Sequence, residues 1–222
     1  MGVVIIDSIL TVKNLTFGYD EKVVIKDFSL EVYPGEIVCL EGSNGAGKTT
    51  ILNCITGIVN SYQNIYIYNK PVSENRALIK KISYIMSEDC LYDYLTVGEN
   101  IEFFKTIFEC DEKYNENVNH YLKLFNLDGY DSVLVKKLSQ GMRNKLYLAI
   151  MLSRNFDLLV LDEPFTALDQ STQQIILDSV ADIVKSQNKA VLFVTHIETF
   201  KAIATRVVHI DKLDDEFFRN PE

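Results

Sequence analysis

Eight residues that match the pattern GxxxxGK[ST] constrain the fold of this chain more than any other feature. They follow the apolar run Ile37-Val38-Cys39-Leu40 and are Gly42-Ser43-Asn44-Gly45-Ala46-Gly47-Lys48-Thr49. A buried strand, a glycine-rich turn and a helix in this order let backbone amides and the helix dipole surround a phosphate. The segment therefore predicts a phosphate-binding loop that extends to Thr50, in which Lys48 reaches phosphate oxygens and Thr49 offers a hydroxyl to Mg²⁺. A glycine-rich turn with a chance lysine is the alternative, and the strand-to-helix context argues against it.

Length and charge limit the class of protein. The chain has 222 residues, which suits one domain, and 31 acidic against 22 basic residues give a net charge of −9. That balance argues against nonspecific nucleic-acid binding, which needs a basic surface. No apolar run approaches the roughly 18 residues of a membrane span, so we expect a cytoplasmic protein. The cysteines form no CxxC pair, and we interpret them as buried reduced thiols: Cys39, Cys54, Cys90 and Cys110.

Strand and helix patterns alternate at both ends of the chain, and helical patterns fill its middle. The predicted strands are 9–17, 23–32, 37–40, 158–161, 190–195 and 206–210, and Tyr84-Ile85 also lies on a strand. Helices are predicted from about Lys48, over 96–108 with a Thr96 to Glu99 capping box, over 112–125, from about Ser139 and over 170–187. Apolar strands alternating with helices predict a parallel sheet covered by helices, with the helical middle as an insertion.

Two acidic residues end the apolar strand Leu158-Leu159-Val160-Leu161. At this position Asp162 can hold the water shell of Mg²⁺, and Glu163 can orient or deprotonate an attacking water. Two acids at a strand end are often only solvated. Their combination with the phosphate-binding loop favours the catalytic interpretation.

A further motif, Leu138-Ser139-Gln140-Gly141-Met142, lies between the loop and the acids, with Ser139 23 residues before Asp162. Together with the loop, the acids and His196, it makes the chain resemble the ATP-binding cassette family, the ATPase subunits of ABC transporters. The resemblance implies an α/β fold: a P-loop NTPase (RecA-like) parallel-sheet core, an N-terminal antiparallel β subdomain and an inserted α-helical subdomain. Residues 1–222 would form one domain, with 1–86 and 156–222 as the core and 87–155 as the helical part.

The resemblance also implies roles for single residues. Tyr19 would stack on adenine, and His196 would contact the γ-phosphate and help to hold the attacking water. Ser139, Gln140, Gly141 and Met142 would cover the nucleotide held by an opposite subunit, and Asp169 would link the two sites. The plainer alternatives are a strand-end tyrosine for Tyr19, a structural histidine for His196, and helix caps for Ser139 and Asp169.

Four positions depart from the family pattern. Ser87, between Met86 and Glu88, stands where a magnesium-binding glutamine is expected, so either Ser87 or Glu88 would take over its contact. Gln140 replaces a glycine, Met142 replaces a glutamine, and Thr166 replaces a serine. None of these changes removes Lys48, Asp162, Glu163 or His196, so we expect hydrolysis to survive.

The resemblance implies ATP and Mg²⁺ as cofactors, a second cassette as a head-to-tail partner, and a transmembrane permease gripped by region 87–137. The chain would then lie on the inner face of the membrane. Leu91-Tyr92, Leu95-Thr96-Val97 and 139–143 favour an export-type transporter over an importer. A cassette ATPase of DNA repair or translation is the alternative, although such proteins usually carry a long coiled-coil insertion or a second cassette. A small-molecule P-loop kinase is the other rival, and it has no use for the 138–142 motif or His196.

Overall fold

The computed structural model describes residues 7–20, 22–61, 63–165 and 168–213. Thr166, one of the departures noted above, lies outside these residues, as do the two ends of the predicted domain.

A five-stranded parallel sheet forms the centre of the molecule. Its strands are β3 (Ile37–Gly42), β6 (Ile82–Ile85), β7 (Leu158–Asp162), β8 (Ala190–Val194) and β9 (Arg206–Ile210). They lie in the order β6-β7-β8-β3-β9, and every pairing is parallel. The order places β3 beside β8 and two places from β7. The segments that follow these three strands therefore lie close together, at the carboxyl ends of the strands.

A second, antiparallel sheet comes mostly from the first part of the chain. It contains β1 (Leu10–Tyr19), β2 (Lys22–Val32), β4 (Ile65–Ile67) and β5 (Lys70–Pro71), in the order β2-β1-β4-β5. Leu30 and Val32 of β2 are buried and Phe28 is half-buried, and the three alternate with exposed residues, as in a strand with one buried face.

Six α-helices surround the parallel sheet among the described residues. They are α1 (Lys48–Thr56), α2 (Val97–Ile107), α3 (Lys113–Leu124), α4 (Gln140–Leu152), α5 (Gln170–Gln187) and α6 (Glu198–Lys201). Helix α2 begins with the predicted capping box, in which Thr96 accepts a hydrogen bond from the Glu99 amide and Glu99 accepts one from the Thr96 amide. None of the helices in the described part of the chain is long and apolar enough to cross a membrane.

Both faces of strands β3, β6, β7 and β8 are largely buried, because their side chains alternate between two apolar clusters, whereas the edge strand β9 is partly exposed. Cys39, Leu159 and Phe193 face one side, which α2, α3, α4 and α5 cover. Val38, Val160 and Leu192 face the other side, which α1 and the antiparallel sheet cover. The predicted helical part, 87–155, therefore shares its core with the sheet. Its boundaries with the rest of the domain stay a prediction.

Several sequence-based expectations need correction. Cys39 and Cys54 are buried, but Cys110 is only half-buried and Cys90 is exposed, because both lie in loops that border the helical part; all four are free thiols. The expectation of four buried thiols was therefore wrong for two of them. The short strands β4 and β5, the helix α6 and the 3₁₀ turns Arg76–Lys81 and Val135–Lys137 were not predicted. Such short elements carry too few residues for a readable period.

Candidate functional site

The loop between β3 and α1 is shaped by glycines in conformations that other residues adopt only with strain. Gly45 has φ +81° and Gly47 has φ +91°. A Cβ atom on Gly47 would lie 3.1 Å from the carbonyl oxygen of Val24, so β2 presses directly against the loop. Gly47 is also the N-cap of α1 and makes no side-chain cap, which leaves the first amides of the helix without a side-chain acceptor.

Lys48 and Thr49 begin α1 and point back across the loop. The Lys48 ammonium donates to the carbonyl oxygens of Gly42, at 2.8 Å, and Ser43, at 3.0 Å. Thr49 shares a side-chain hydrogen bond with Asp162, which lies at the end of β7. The cation and the hydroxyl are thus held over the same short loop.

Asp162 is a carboxyl group with only 4% of its surface exposed. Burial raises its pKa, while hydrogen bonds with Thr49 and Tyr84 and the charge of Lys48 act in the opposite direction. The hydroxyl and the carboxylate are hard oxygen ligands of the kind that Mg²⁺ prefers. No cluster of three or more His, Cys, Asp or Glu side chains suited to a metal occurs among the described residues. Thr49 and Asp162 therefore fit a magnesium ion that takes its other ligands from phosphate and water.

Glu163 and His196 face each other beyond Asp162. Glu163 has φ +51°, which is unusual for a residue with a side chain, and its amide donates to the carbonyl of Val194 at 3.0 Å. His196 follows β8, and its Nε2 atom lies 3.1 Å from Oε1 of Glu163. The histidine side chain is 62% exposed and the glutamate side chain 28%. Both groups are thus accessible from the loop side.

These groups surround one cavity of about 350 Å³. Its lining joins the phosphate-binding loop to the ends of β7 and β8 and consists of Val24, Asn44, Gly45, Gly47, Lys48, Thr49, Thr50, Asp162, Glu163, Val194 and His196. The predicted loop, acids and histidine therefore meet in space, although they are up to 154 positions apart in the sequence. A cavity with a cation, hydroxyls, a carboxylate pair and a histidine suits a phosphate ester and its metal.

Two predicted contacts of the same subunit lie outside that lining. Tyr19 is 46% exposed at the end of β1, with its ring edge-on to Phe17 at 5.1 Å between centroids. Ser87 is exposed in the loop after β6, as is the neighbouring Glu88. Their contacts with adenine and Mg²⁺ stay predictions.

The 138–142 motif lies at the start of α4, also outside the cavity. Ser139 is the N-cap, and its hydroxyl accepts from the Met142 amide at 3.3 Å, which confirms the capping interpretation. Gln140 is exposed, and Gly141 is half-buried. Asp169 caps α5 in the same way, accepting from the Thr172 amide at 2.8 Å, and it also pairs with Lys145 at 2.8 Å. The contacts of these residues with a nucleotide held by an opposite subunit stay predictions.

Sequence reasoning missed two residues next to the site. The Tyr84 hydroxyl donates to Asn53 Oδ1 at 3.0 Å and reaches Asp162 Oδ2 at 3.5 Å. Burial, together with the charge of Asp162, raises the pKa of Tyr84 far above its usual value, so the phenol stays protonated. A tyrosine in a buried strand, followed by a loop, is the signal that could have indicated a polar partner.

Comparisons with known proteins agree with the family resemblance described in the sequence analysis. The sequence profile of the family described as "ABC transporter" matches residues 25–166. An uncharacterized ABC transporter ATP-binding protein of Methanocaldococcus jannaschii is 30% identical over 93% of this chain and 78% of its own length. The spermidine/putrescine import ATP-binding protein of Fusobacterium nucleatum is 30% identical over 84% of this chain and 50% of its own length.

A solved structure, described as the dimeric structure of a bacterial ABC transporter cassette, is also similar. It superposes with a TM-score of 0.79 at 25% identity and covers 91% of this chain and 94% of its own. The fold, the site and these matches agree. The chain therefore belongs to the ABC transporter family, as an ATP-binding subunit of the kind that hydrolyses ATP.

Proposed function

We infer that this chain binds Mg-ATP in the 350 Å³ cavity, hydrolyses it together with a second cassette, and thereby drives transport through a separate membrane permease. The observation that carries this inference is the meeting of Lys48, Asp162, Glu163 and His196 around one cavity. ATPase chemistry needs positioned charges more than covalent steps, and each of these groups supplies one.

The position of each side chain determines the role that we assign to it in hydrolysis. Lys48 neutralises the β- and γ-phosphate oxygens, and the loop amides from Gly42 to Thr50 wrap the phosphates. Glu163 takes the proton of the attacking water, and His196, 3.1 Å from it, holds that water and the γ-phosphate. Mg²⁺, bound through Thr49 and Asp162, would supply charge neutralisation at the phosphates. Tyr19 contributes the stacking surface for adenine.

A second cassette would complete the site. Gln140 at the start of α4 is exposed, and neither Gln140 nor Gly141 lines the chain's own cavity. A helix N-terminus attracts phosphate, so we assign Ser139, Gln140, Gly141 and Met142 to the nucleotide of the opposite subunit. Asp169 forms an ion pair with Lys145 of this helix, and this contact suits a link between the two sites. The partner is a second copy of this chain or a related cassette.

The permease would dock on the helical part, at region 87–137, on the inner face of the membrane. Export is the direction we propose, on the motifs around Leu91, Leu95 and Ser139. The import protein of Fusobacterium nucleatum, at 30% identity, supports the opposite direction. Measuring cargo movement in vesicles that carry the chain with its permease would decide between them.

The direct test of the proposed function uses the purified Glu163→Gln variant. It should bind Mg-ATP normally, lose hydrolysis by about 100-fold or more, and dimerise only with the nucleotide. Light scattering with and without Mg-ATP measures the mass. A monomer at saturating Mg-ATP would contradict a homodimeric site, and phosphate transfer to nucleosides instead of water would indicate a kinase.

Ser87 needs its own test, because it is exposed and outside the cavity lining. If it binds Mg²⁺ through water when the site is complete, Ser87→Ala should raise the Mg²⁺ concentration needed for half-maximal ATPase activity, and Ser87→Gln should not. Equal Mg²⁺ dependence of both variants and the wild type would remove Ser87 from the metal site.

A further inference from the structure

An apolar cleft of about 380 Å³ lies beside β6, where the helical part meets the end of α1. Its apolar walls include Ile58, Ile79, Met86 and Phe108. Ile58 is 59% exposed and belongs to this group of apolar side chains, and an exposed apolar group of this kind often marks a contact site. The cleft is separate from the nucleotide cavity, since the residues that line the two do not overlap.

The charge of this cleft is opposite to that of the whole chain. Three cations, Arg76, Lys80 and Arg154, line it, and no aspartate or glutamate does. The chain as a whole has 31 acidic and 22 basic residues. Two of the cations have polar partners nearby: Arg76 donates to Asn60 at 3.4 Å, and Lys80 pairs with Glu109 at 2.7 Å.

Arg154 differs from the other two cations. It follows the C-terminal end of α4 and is 92% buried, since only 8% of its surface is exposed. Its Nε atom has no hydrogen-bond partner, and none of the described carboxylates forms an ion pair with it. The guanidinium lies 3.6 Å from the ring centroid of Phe108. Burial lowers its pKa, and the groups that oppose this effect are Cys110, Tyr114 and Tyr147, none of which is a carboxylic acid.

A buried guanidinium without a carboxylate is costly, since burial removes water and no anion replaces it. Stacking on Phe108 and the negative end of the α4 dipole compensate only part of that cost. A carboxylate that entered the cleft would gain a charge-assisted, two-pronged hydrogen bond in a dry environment. The apolar walls would bury the side chains around that carboxylate.

From this geometry we propose that Arg154 anchors a carboxylate of the permease: an Asp or Glu on an amphipathic cytoplasmic segment whose apolar side fills the cleft. This inference rests on the proposed function, because it names the chemistry of the partner. It makes Arg154 a specificity determinant of the interface. It also assigns to the partner segment a negative charge at the edge of its apolar side.

Displayed peptides can stand in for the permease segment in a test of the anchor. A library of helical amphipathic peptides, about four turns or roughly 14 residues long, is selected on the full chain. Binders that the cleft variant Ile58→Asp no longer retains are kept. They should carry an Asp or Glu beside apolar residues, and changing that acid to its amide should weaken binding about 30-fold or more.

Arg154→Gln should cause the same loss, whereas Lys123→Gln, an exposed cation of α3, should cause none. Arg154→Gln should also leave the ATPase activity of the isolated chain unchanged and keep or raise its melting temperature, because an unpaired buried charge is removed. Arg154→Lys keeps the charge and should retain part of the binding.

Several results would overturn the anchor. Cleft binders without an acid, or binders indifferent to Arg154→Gln, would leave the docking cleft but remove the role of Arg154. A melting temperature clearly lowered by Arg154→Gln, with peptide binding unchanged, would make the arginine structural. Binding of phosphatidylglycerol vesicles that depends on Arg154, without peptide binding, would show that the cleft binds lipid instead of a permease segment.

If no peptide binds in a cleft-dependent way, both the anchor and docking at this cleft are overturned. Failure of Glu163→Gln to dimerise would instead count against the shared ATP site alone.

Discussion

Glu163 shows how the backbone conformation of a single residue orients its side chain in this cassette. Its φ of +51° costs about 1 kcal/mol or more for a residue with a Cβ atom, and the hydrogen bond from its amide to Val194 opposes that cost. The conformation turns the carboxylate away from the axis of β7 and towards His196. Asp162, the preceding residue, stays buried and turns to Thr49. Two adjacent acids thereby contact two different partners.

Tyr84→Phe tests the polar contact behind Asp162. Loss of the 3.0 Å hydrogen bond to Asn53 should reduce the free energy of unfolding by about 1 kcal/mol. The Tyr84 hydrogen bond also lowers the pKa of Asp162, so its removal should raise that pKa further. The ionised form of Asp162 would then be lost at a higher pH, and the acidic limb of the ATPase profile should move upward.

Urea unfolding and a pH profile of phosphate release measure the two effects of Tyr84→Phe. Tyr94→Phe is the matched control, because Tyr94 is 79% exposed. An unmoved acidic limb together with normal stability would exclude Tyr84 from the support of Asp162.

Among the elements, helix α4 contacts both the loop between β6 and α2 and the start of α5. Arg143 in its second turn makes a two-pronged contact with Asp89, at 2.7 and 3.0 Å, and also donates to Asp93. Both aspartates lie in the loop between β6 and α2, two and six residues after Ser87. Lys145 binds Asp169 at the start of α5. A shift of that loop on permease binding would therefore move the start of α4, which we assign to the second ATP.

The pair of Arg143 and Asp89 should be a strong contributor to stability. The Asp89 side chain is only 6% exposed and that of Arg143 18%, so removal of the arginine leaves a nearly buried carboxylate. We expect Arg143→Gln to cost about 2–3 kcal/mol of unfolding free energy, and a cycle with Asp89→Asn to give a coupling of about 1–3 kcal/mol. The exposed pair of Lys80 and Glu109, at 55% and 71%, is the control and should couple by less than about 1 kcal/mol. Equal couplings for the two pairs would contradict this prediction.

The cap of α5 predicts a pH dependence. Hydrogen bonds from Lys145, Ser171 and Thr172 hold the pKa of Asp169 well below its usual 3.8. Because Asp169 binds a proton less readily in the folded form than in the unfolded chain, its hydrogen bonds stabilise the fold fully above a pH near the usual pKa of 3.8. This stabilisation is lost as the pH falls from there towards the lowered pKa. Asp169→Asn keeps the cap but loses the ion pair with Lys145. Its melting temperature should thus lie slightly below that of the wild type near neutral pH, and the difference should shrink below about pH 4. A constant difference across the titration would show that the ion pair does not contribute.

The longer elements could be predicted from sequence because each has a clear signal. The limits of α5 and β9 agree with the expectation, since Asp169 caps the one and the period-2 pattern marks the other. Strands β4 and β5 have only three and two residues, and the pairing of β4 with β1 and of β5 with β4 depends on tertiary contacts. In the site, the motifs identified the groups but not their distances. The contacts of Tyr84, Arg143 and Arg154 depend on side chains far away in sequence, so no local pattern could predict them.

At the scale of the whole molecule, the parallel sheet lies between two covering layers, and two separate surfaces border it. The nucleotide cavity lies at the ends of β3, β7 and β8, and the apolar cleft lies beside β6 at the sheet edge. Tyr84 lines the cleft and also reaches Asp162, so the surfaces are one side chain apart. This arrangement suits a subunit that converts ATP binding into force on a partner.

Mixing two inactive variants tests most directly whether each reaction centre is shared between two chains. Lys48→Ala removes the phosphate cation, and Gly141→Asp places a carboxylate at the start of α4, where it should repel the γ-phosphate held by the opposite subunit. Each variant alone should be inactive. In an equal mixture, half of the dimers are mixed and hold one intact centre of two, so about a quarter of the wild-type rate of phosphate release should return. A mixture as inactive as its two components, in dimers shown to exchange subunits, would contradict the shared centre.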